Sequence, residues 1–162
     1  MIIYLTIFLF SFSLVLIQSS LVVPLSDDCI QNFENECLRV HNKIRAKHSA
    51  APLALNSSLS HLASNYSNYL ASIDKLVPSN QTEYSETFAE FYSSTPFDQA
   101  NCASLANNLV TEWNIGWPIF NFNIARLNPN LYYNTTKELG CGISLNEENI
   151  VYTVVFYSPK RV

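Results

Sequence analysis

Residues 33–48 read FENECLRVHNKIRAKH, and their spacing predicts the helix on which the rest of the chain packs. The apolar positions recur at steps of four, three and four residues: Phe33, Cys37, Val40 and Ile44. Because an α-helix has about 3.6 residues per turn, these side chains share one stripe that a core would bury. A second line at the same spacing borders that stripe: Leu38, His41, Arg45 and His48. His41 is interpreted as a core-edge histidine held by backbone carbonyls, with a ligand or catalytic role as the alternative.

The first 20 residues, MIIYLTIFLFSFSLVLIQSS, form an apolar run without an acidic side chain. This pattern predicts a secretory signal peptide that is cleaved near Ser19 or Ser20. An uncleaved membrane anchor is the alternative, because the run is almost long enough to span a bilayer. No later stretch of the sequence is apolar enough to do so. Residues 21–162 are therefore predicted to form a single domain with a core of its own and without stable membrane insertion.

The charge of the chain disfavours two classes of binding partner. The formal net charge is −4, and the nine Lys and Arg residues form no basic run. Proteins that bind nucleic acids or anionic membranes concentrate positive charge on one surface, so both classes of partner are disfavoured. Soluble extracellular partners or small ligands remain.

The cysteines and the glycosylation signals both indicate an oxidising, extracellular location. Four cysteines are disulfide candidates: Cys29, Cys37, Cys102 and Cys141. None lies in a C-x-x-C motif, so pairing is favoured over metal binding, and all three connectivities remain open. Four N-x-S/T triplets could carry glycans in a secreted chain: Asn56, Asn65, Asn80 and Asn134.

A second helix is predicted over residues 57–72, with Asn56 or Ser57 as its N-cap. The side chains expected on its buried face are Leu59, Leu62, Tyr66, Tyr69 and Leu70. His61 falls off that face and is expected in solvent. Residues 74–83 lack periodicity and contain proline, serine and asparagine, which is typical of a surface loop.

The next segments alternate between strand and helix patterns. YSETFAEFY at residues 84–92 has a period of two, which favours a strand. Helical spacing returns over residues 100–113, and Gly116 and Pro118 are expected to end that helix. Residues 117–133 are rich in asparagine and aromatic side chains without a clear period, so we expect a long loop with room for a short helix or strand.

Two apolar, β-branched runs close the sequence, at residues 138–145 and 149–157. They are separated by a short polar segment and therefore indicate a hairpin. Gly140 and Gly142 flank Cys141 in the first run, and glycine in a strand marks a close backbone approach, a bulge or a positive φ angle. Helices around an early strand and a terminal hairpin predict an antiparallel sheet covered by helices.

Several motifs then follow one another in a recognisable order: CLRVHNKIR at 37–45, YSETF at 84–88, Trp113, LGCG at 139–142 and VFYSP at 155–159. In these motifs the chain resembles the CAP superfamily of cysteine-rich secretory, antigen 5 and pathogenesis-related-1 proteins, also called SCP/TAPS. The resemblance covers about residues 34–159. It implies an α+β fold, a three-layer α-β-α sandwich with a central antiparallel sheet.

The resemblance also implies a central cleft, in which many family members carry two histidines and two glutamates that in some of them bind a divalent metal. The matching positions in this sequence are Pro78, Glu86, Gly116 and Leu127. Only Glu86 can act as a ligand, and a zinc-type site needs three or four converging donors. We therefore expect no metal, no cofactor and no catalytic residue, and interpret Glu86 as a strand carboxylate that is hydrogen-bonded in the cleft.

The cysteine pattern departs from that of many relatives, in which the cysteine between the two glycines pairs with a cysteine on the facing strand. The matching residue here is Val155. Cys141 must then pair elsewhere or stay free. Cys37 and Cys102 both lie on helices that would pack on the sheet, so either could be its partner.

The resemblance implies a secreted, non-enzymatic, venom-allergen-like protein that binds an extracellular partner, such as a host protein. The alternative is a sterol- or fatty-acid-binding protein, since some family members bind such lipids. Two aromatic clusters could line a groove or belong to the core: Phe88, Phe91, Tyr92 and Phe97, and Trp117, Phe120 and Phe122. A metal-dependent hydrolase is the third reading, and the least favoured one.

Overall fold

The computed structural model describes residues 20–115 and 128–160. The predicted signal peptide therefore lies outside the described residues except for Ser20. The helices are α1 (Asp27–Lys47), α2 (Ser57–Ile73) and α3 (Cys102–Ile115), with short 3-10 helices at Gln99–Asn101 and Pro129–Leu131. The strands are β1 (Val22–Val23), β2 (Ala54–Leu55), β3 (Ser85–Tyr92), β4 (Glu138–Asn146) and β5 (Ile150–Ser158).

The sheet is built around the terminal hairpin, as the sequence predicts. Its strand order is β1-β4-β5-β3, and these neighbours pair antiparallel. Strand β2 adds a short parallel pairing to β4. In the hairpin register Cys141 lies opposite Val155, which in turn pairs with Thr87 of β3.

Helices cover both faces of this sheet, which confirms the three-layer α-β-α sandwich and the α+β class. One core lies between the sheet and the pair α1 and α3, and a second core lies between the sheet and α2. The side chains of β4 alternate accordingly, because successive residues of a strand point to opposite faces. Those in the core of α1 and α3 are Leu139, Cys141, Ile143 and Leu145.

The first helix is longer than predicted, because it begins at Asp27 and not at Phe33. The Ser26 hydroxyl accepts a hydrogen bond from the backbone N–H of Cys29 at 3.2 Å, so Ser26 is the N-cap of α1. Two aspartates in the first turn face the positive end of the helix dipole. The predicted apolar stripe is buried and is extended by Cys29.

The second helix has the predicted N-cap, Asn56, but its predicted buried face is wrong in part. Leu62 and Tyr69 are 38% and 49% exposed, whereas small side chains face the sheet: Ser60, Ala63, Ser67 and Ala71. His61 is exposed, as expected. The two glycines of β4 explain the shift. A Cβ atom on Gly140 would lie 2.1 Å from the backbone nitrogen of Ser60, and one on Gly142 would lie 2.3 Å from the carbonyl carbon of Ala63.

The third helix runs from Cys102 to Ile115, two residues later than predicted at each end. The expected stop at Gly116 and Pro118 lies outside the described residues, as does the predicted loop up to residue 127. The described end of that loop holds the 3-10 helix Pro129–Leu131. Within residues 20–115 and 128–160 no helix is both long and apolar enough to cross a membrane.

Candidate functional site

Glu86 lies on β3 and is hydrogen-bonded to the loop that precedes the strand. Both carboxylate oxygens accept from the backbone N–H of Ser79, at 3.1 and 3.2 Å. The Ser79 hydroxyl donates a further bond to the same carboxylate. The resemblance placed Pro78 and Glu86 in one cleft, and the structure bonds Glu86 to Ser79, the residue next to Pro78. Glu86 thereby holds the loop of residues 74–83 against the sheet.

The other cleft positions offer no ligand that the structure describes. Pro78 is exposed and carries no donor atom, while Gly116 and Leu127 lie outside the described residues. Among residues 20–115 and 128–160, no three His, Cys, Asp or Glu side chains converge closely enough to hold a metal ion.

We expect the purified protein to hold no stoichiometric zinc, because a lone carboxylate already bonded to Ser79 is a poor site. Metal analysis after mild dialysis measures this. The control is Glu86→Gln, which should leave the metal content unchanged. One zinc ion per chain that is lost in Glu86→Gln would refute the prediction.

Beside the cleft, α2 carries an apolar and aromatic strip that we name the tyrosine patch, formed by the exposed Leu62 and Tyr69 and the half-buried Tyr66. The two tyrosine rings stack, with centroids 5.7 Å apart. The Tyr66 hydroxyl donates to the carbonyl oxygen of Val77 at 2.9 Å. Burial, together with the charge of Glu86, raises the pKa of Tyr66 to about 12, so this ring stays a neutral phenol at physiological pH.

A groove of about 200 Å³ runs along the edge of the tyrosine patch. It is lined by Leu62, Asn65, Tyr66, Gln81, Tyr84 and Phe156. Leu62 and Tyr66 belong to both the patch and the groove, so the two are contiguous.

A second groove, the aromatic groove, has a volume of about 330 Å³ and lies between the end of β3 and the start of α3. Its apolar lining is Phe91, Pro96, Phe97 and Leu105. The predicted cluster of four aromatic residues is therefore divided. Phe88 packs against the core under α2, whereas Phe91 packs against the opposite core, because odd and even positions of β3 face opposite sides. Tyr92, the last residue of the strand, is 56% exposed. The second predicted cluster, Trp117, Phe120 and Phe122, lies outside the described residues.

His41 is fully buried, and both its ring nitrogens are used inside the core. Nδ1 lies 2.8 Å from the carbonyl oxygen of Cys37, and because a carbonyl only accepts, Nδ1 carries the proton. Nε2 therefore accepts from the Tyr157 hydroxyl at 2.8 Å, and Asn128 donates to that hydroxyl oxygen at 2.6 Å. Burial raises the pKa of Tyr157 well above its ordinary value. The geometry thus agrees with the core interpretation of His41 and leaves no nitrogen facing a cleft.

Arg45 has a structural role that the sequence pattern alone did not reveal. Its side chain is fully buried, and its guanidinium donates to four backbone carbonyls. The N···O distances are 2.6 Å to Ala51, 2.6 Å to Asn130, 3.1 Å to Tyr133 and 3.3 Å to Thr136. Its place in the polar line beside the apolar stripe was the available signal. Arg45 fixes the segment before β4 to the end of α1.

The four cysteines fall into two pairs. Cys29 and Cys102 form a disulfide with their Cα atoms 5.3 Å apart, which joins α1 to α3. Cys37 and Cys141 are buried thiols whose sulfur atoms are 2.6 Å apart. Cys37 and not Cys102 is therefore the helix cysteine that faces Cys141.

Comparison with known proteins agrees with the resemblance that the sequence motifs show. The CAP family model, described as the cysteine-rich secretory protein family, matches residues 38–157. A human relative, Golgi-associated plant pathogenesis-related protein 1, is 28% identical over 131 residues, which cover 80% of this chain and 84% of the relative.

Two solved structures share the fold at low sequence identity. The crystal structure of NaASP2 with Zn²⁺ has a TM-score of 0.56 at 15% identity, covering 85% of this chain and 82% of that one. Venom allergen-like protein 4 of Schistosoma mansoni has a TM-score of 0.51 at 16% identity, with coverage of 86% and 94%.

Proposed function

Because the chain belongs to the CAP family of cysteine-rich secretory proteins, we propose that it is a secreted, non-enzymatic protein that binds an extracellular partner through its surface. Proteins of this family are generally secreted and are generally not classical enzymes. The sequence supports the same proposal, since three of the four cleft positions, Pro78, Gly116 and Leu127, carry no side chain that could ligate a metal.

The observation that carries this proposal is the tyrosine patch. Leu62, Tyr66 and Tyr69 are spaced at i, i+4 and i+7, so they form one strip on the outer face of α2. Single exposed apolar residues are common on proteins, but a contiguous strip beside a groove indicates an interaction surface. Tyrosine suits a protein interface because its ring buries apolar area while its hydroxyl keeps a polar partner.

Glycosylation would shape this surface, and the four sequons differ in how their side chains are used. Asn80 and Asn134 are exposed, so glycans there are compatible with the fold. Asn56 caps α2 and donates from Nδ2 to Glu138 at 2.9 Å, so a glycan at this atom would replace a structural hydrogen bond. Asn65 lies on the groove, and a glycan there would border the tyrosine patch.

Tyr69→Asp should weaken binding of the secreted glycoprotein to its partner by more than tenfold, because a charge at the centre of an apolar contact is costly. The labelled protein is titrated against a panel of purified extracellular domains and intact cells. Tyr92→Asp is the matched control, since Tyr92 is similarly exposed, at 56% against 49% for Tyr69, but lies on β3. The absence of saturable binding, or an equal loss in both variants, would contradict the proposal.

Lipid carriage is the second candidate, favoured by the aromatic groove alone. Its volume of about 330 Å³ lies at the lower end of the range of about 300–1,000 Å³ that is typical of ligand sites. Phe91 and Phe97 are half-buried there, so their rings could contact a sterol or an acyl chain.

If the aromatic groove binds lipid, Phe97→Ala should weaken the binding of a fluorescent fatty acid or sterol by more than tenfold, since one ring contributes about 2 kcal/mol. Tyr92→Ala is the control and should bind as the unchanged chain does. A thermal melt of each variant accompanies the titration. A lowered melting temperature in Phe97→Ala without specific lipid binding by the unchanged chain would assign these rings to the core.

A further inference from the structure

We propose that Cys37 and Cys141 form a second disulfide, which joins α1 directly to the central strand β4. Both side chains are fully buried, and their sulfur atoms are 2.6 Å apart. The two residues lie on different elements and are separated by 104 positions in the sequence, so the contact is made by the fold and not by chain proximity.

In the folded chain neither Cys37 nor Cys141 has another cysteine with which it could pair. Cys37 is on the buried stripe of α1, two turns after Cys29, whose sulfur already bonds to Cys102. The side chain of Cys141 points to the α1 side because the neighbouring glycines face α2. Across the hairpin Cys141 meets Val155, so the pairing within the sheet that many relatives use is not available.

The surroundings of the pair distinguish the two thiols. Burial opposes ionisation of Cys37, but the hydrogen bond donated by Cys141 and the nearby His41 ring together lower its pKa. Burial and the same hydrogen bond raise the pKa of Cys141. In the reduced, packed pair Cys37 is therefore the thiol that ionises more readily.

The oxidant must be a disulfide of a small thiol or of an oxidoreductase, and it must act before α1 packs on the sheet, because both sulfurs are buried afterwards. The Cys141 thiolate attacks that disulfide, forms a mixed disulfide and releases one thiolate. The Cys37 thiolate then attacks Cys141 Sγ and expels the second thiolate. Two cysteine thiols are thereby oxidised to one disulfide, and the oxidant is reduced to two thiols that take up the two protons.

The test uses the chain secreted from eukaryotic cells, denatured with iodoacetamide and without a reductant, and then digested with a glutamyl endopeptidase. This protease is chosen because Glu34 and Glu36 separate Cys29 from Cys37, whereas no Lys or Arg lies between them. We expect no alkylated cysteine and one cross-linked peptide pair that contains Cys37 and Cys141. Alkylation of both residues, or a link from either one to Cys29 or Cys102, would overturn the proposal.

Three variants test the pairing further. Cys37→Ala should leave Cys141 as the one alkylated cysteine, and Cys141→Ala should leave Cys37. The double variant Cys37→Ala/Cys141→Ala should melt about 10 °C lower than the oxidised chain, as expected for the loss of a cross-link that closes a long loop. An unchanged melting temperature would contradict a covalent bond in the parent, and peptide mapping of the parent decides the pairing if the double variant does not fold.

Discussion

Replacing Arg45 by methionine should lower the free energy of unfolding by about 3 to 5 kcal/mol, one of the two largest effects we expect from a single substitution. Methionine matches the length of the side chain but donates no hydrogen bond. Four carbonyl oxygens would lose their charged donor, and those of Asn130 and Thr136 are buried. An unsatisfied buried acceptor costs about 1 to 3 kcal/mol. Urea unfolding followed by circular dichroism measures the change.

Arg39→Met is the matched control on the same helix. Arg39 is exposed and pairs with Glu36 one turn away, so its loss should barely move the unfolding midpoint. Arg45→Lys tests the geometry, since an ammonium has fewer donors than the guanidinium and should restore only part of the stability. Burial lowers the pKa of Arg45, yet an arginine stays protonated at physiological pH, so the loss should not depend on pH between 6 and 8. Equal effects at Arg39 and Arg45 would contradict the assigned role.

Gly142→Val should destabilise the protein by about 3 kcal/mol or more, at the upper end for overpacked cores. Even the first added carbon would lie 2.3 Å from the backbone of Ala63, and a helix backbone cannot rotate away as a side chain can. Helix α2 would have to move off the sheet, which would open the core that it shares with β4 and β5. A thermal melt and a urea titration both report this loss.

The control for Gly142 is its neighbour Ile143, which faces the opposite core. Ile143→Val removes one methylene and should cost about 0.5 to 1.5 kcal/mol. If Gly142→Val were no more harmful than Ile143→Val, the close approach of α2 to the sheet would be wrong.

Features that depend on neighbouring residues could be predicted from the sequence, whereas features that depend on residues far apart in the chain could not. The stripe of α1, the period-two strand and the hairpin depend on neighbouring residues, and the structure has all three. The buried face of α2 depends on Gly140 and Gly142, which lie far away along the chain, so hydropathy alone selected Leu62 and Tyr69 over Ser60 and Ala63. The glycine pair signalled a close approach without naming the helix that approaches.

The same reasoning applies to the candidate sites. Family resemblance marked Glu86 as a hydrogen-bonded cleft carboxylate, but it did not name Ser79 as the partner that the structure shows. The acceptors of Arg45 lie between 85 and 91 positions away except for Ala51, and no local pattern marks a backbone carbonyl. Cysteine spacing left three connectivities, and only the packing of α1 against both α3 and β4 separates them. Leu62 and Tyr69 of the tyrosine patch were predicted in the core for the reason that misplaced the face of α2, whereas Tyr66 does pack against it.

The position of β5 has a consequence for biosynthesis. The last strand lies between β4 and β3, so β3 is made long before its only partner in the described sheet. A nascent chain that ends before Ile150 carries a strand with unpaired N–H and C=O groups, which can pair with other chains. We therefore expect the sheet to form after synthesis has passed Ser158, and ribosome-bound intermediates stalled earlier to depend on chaperones.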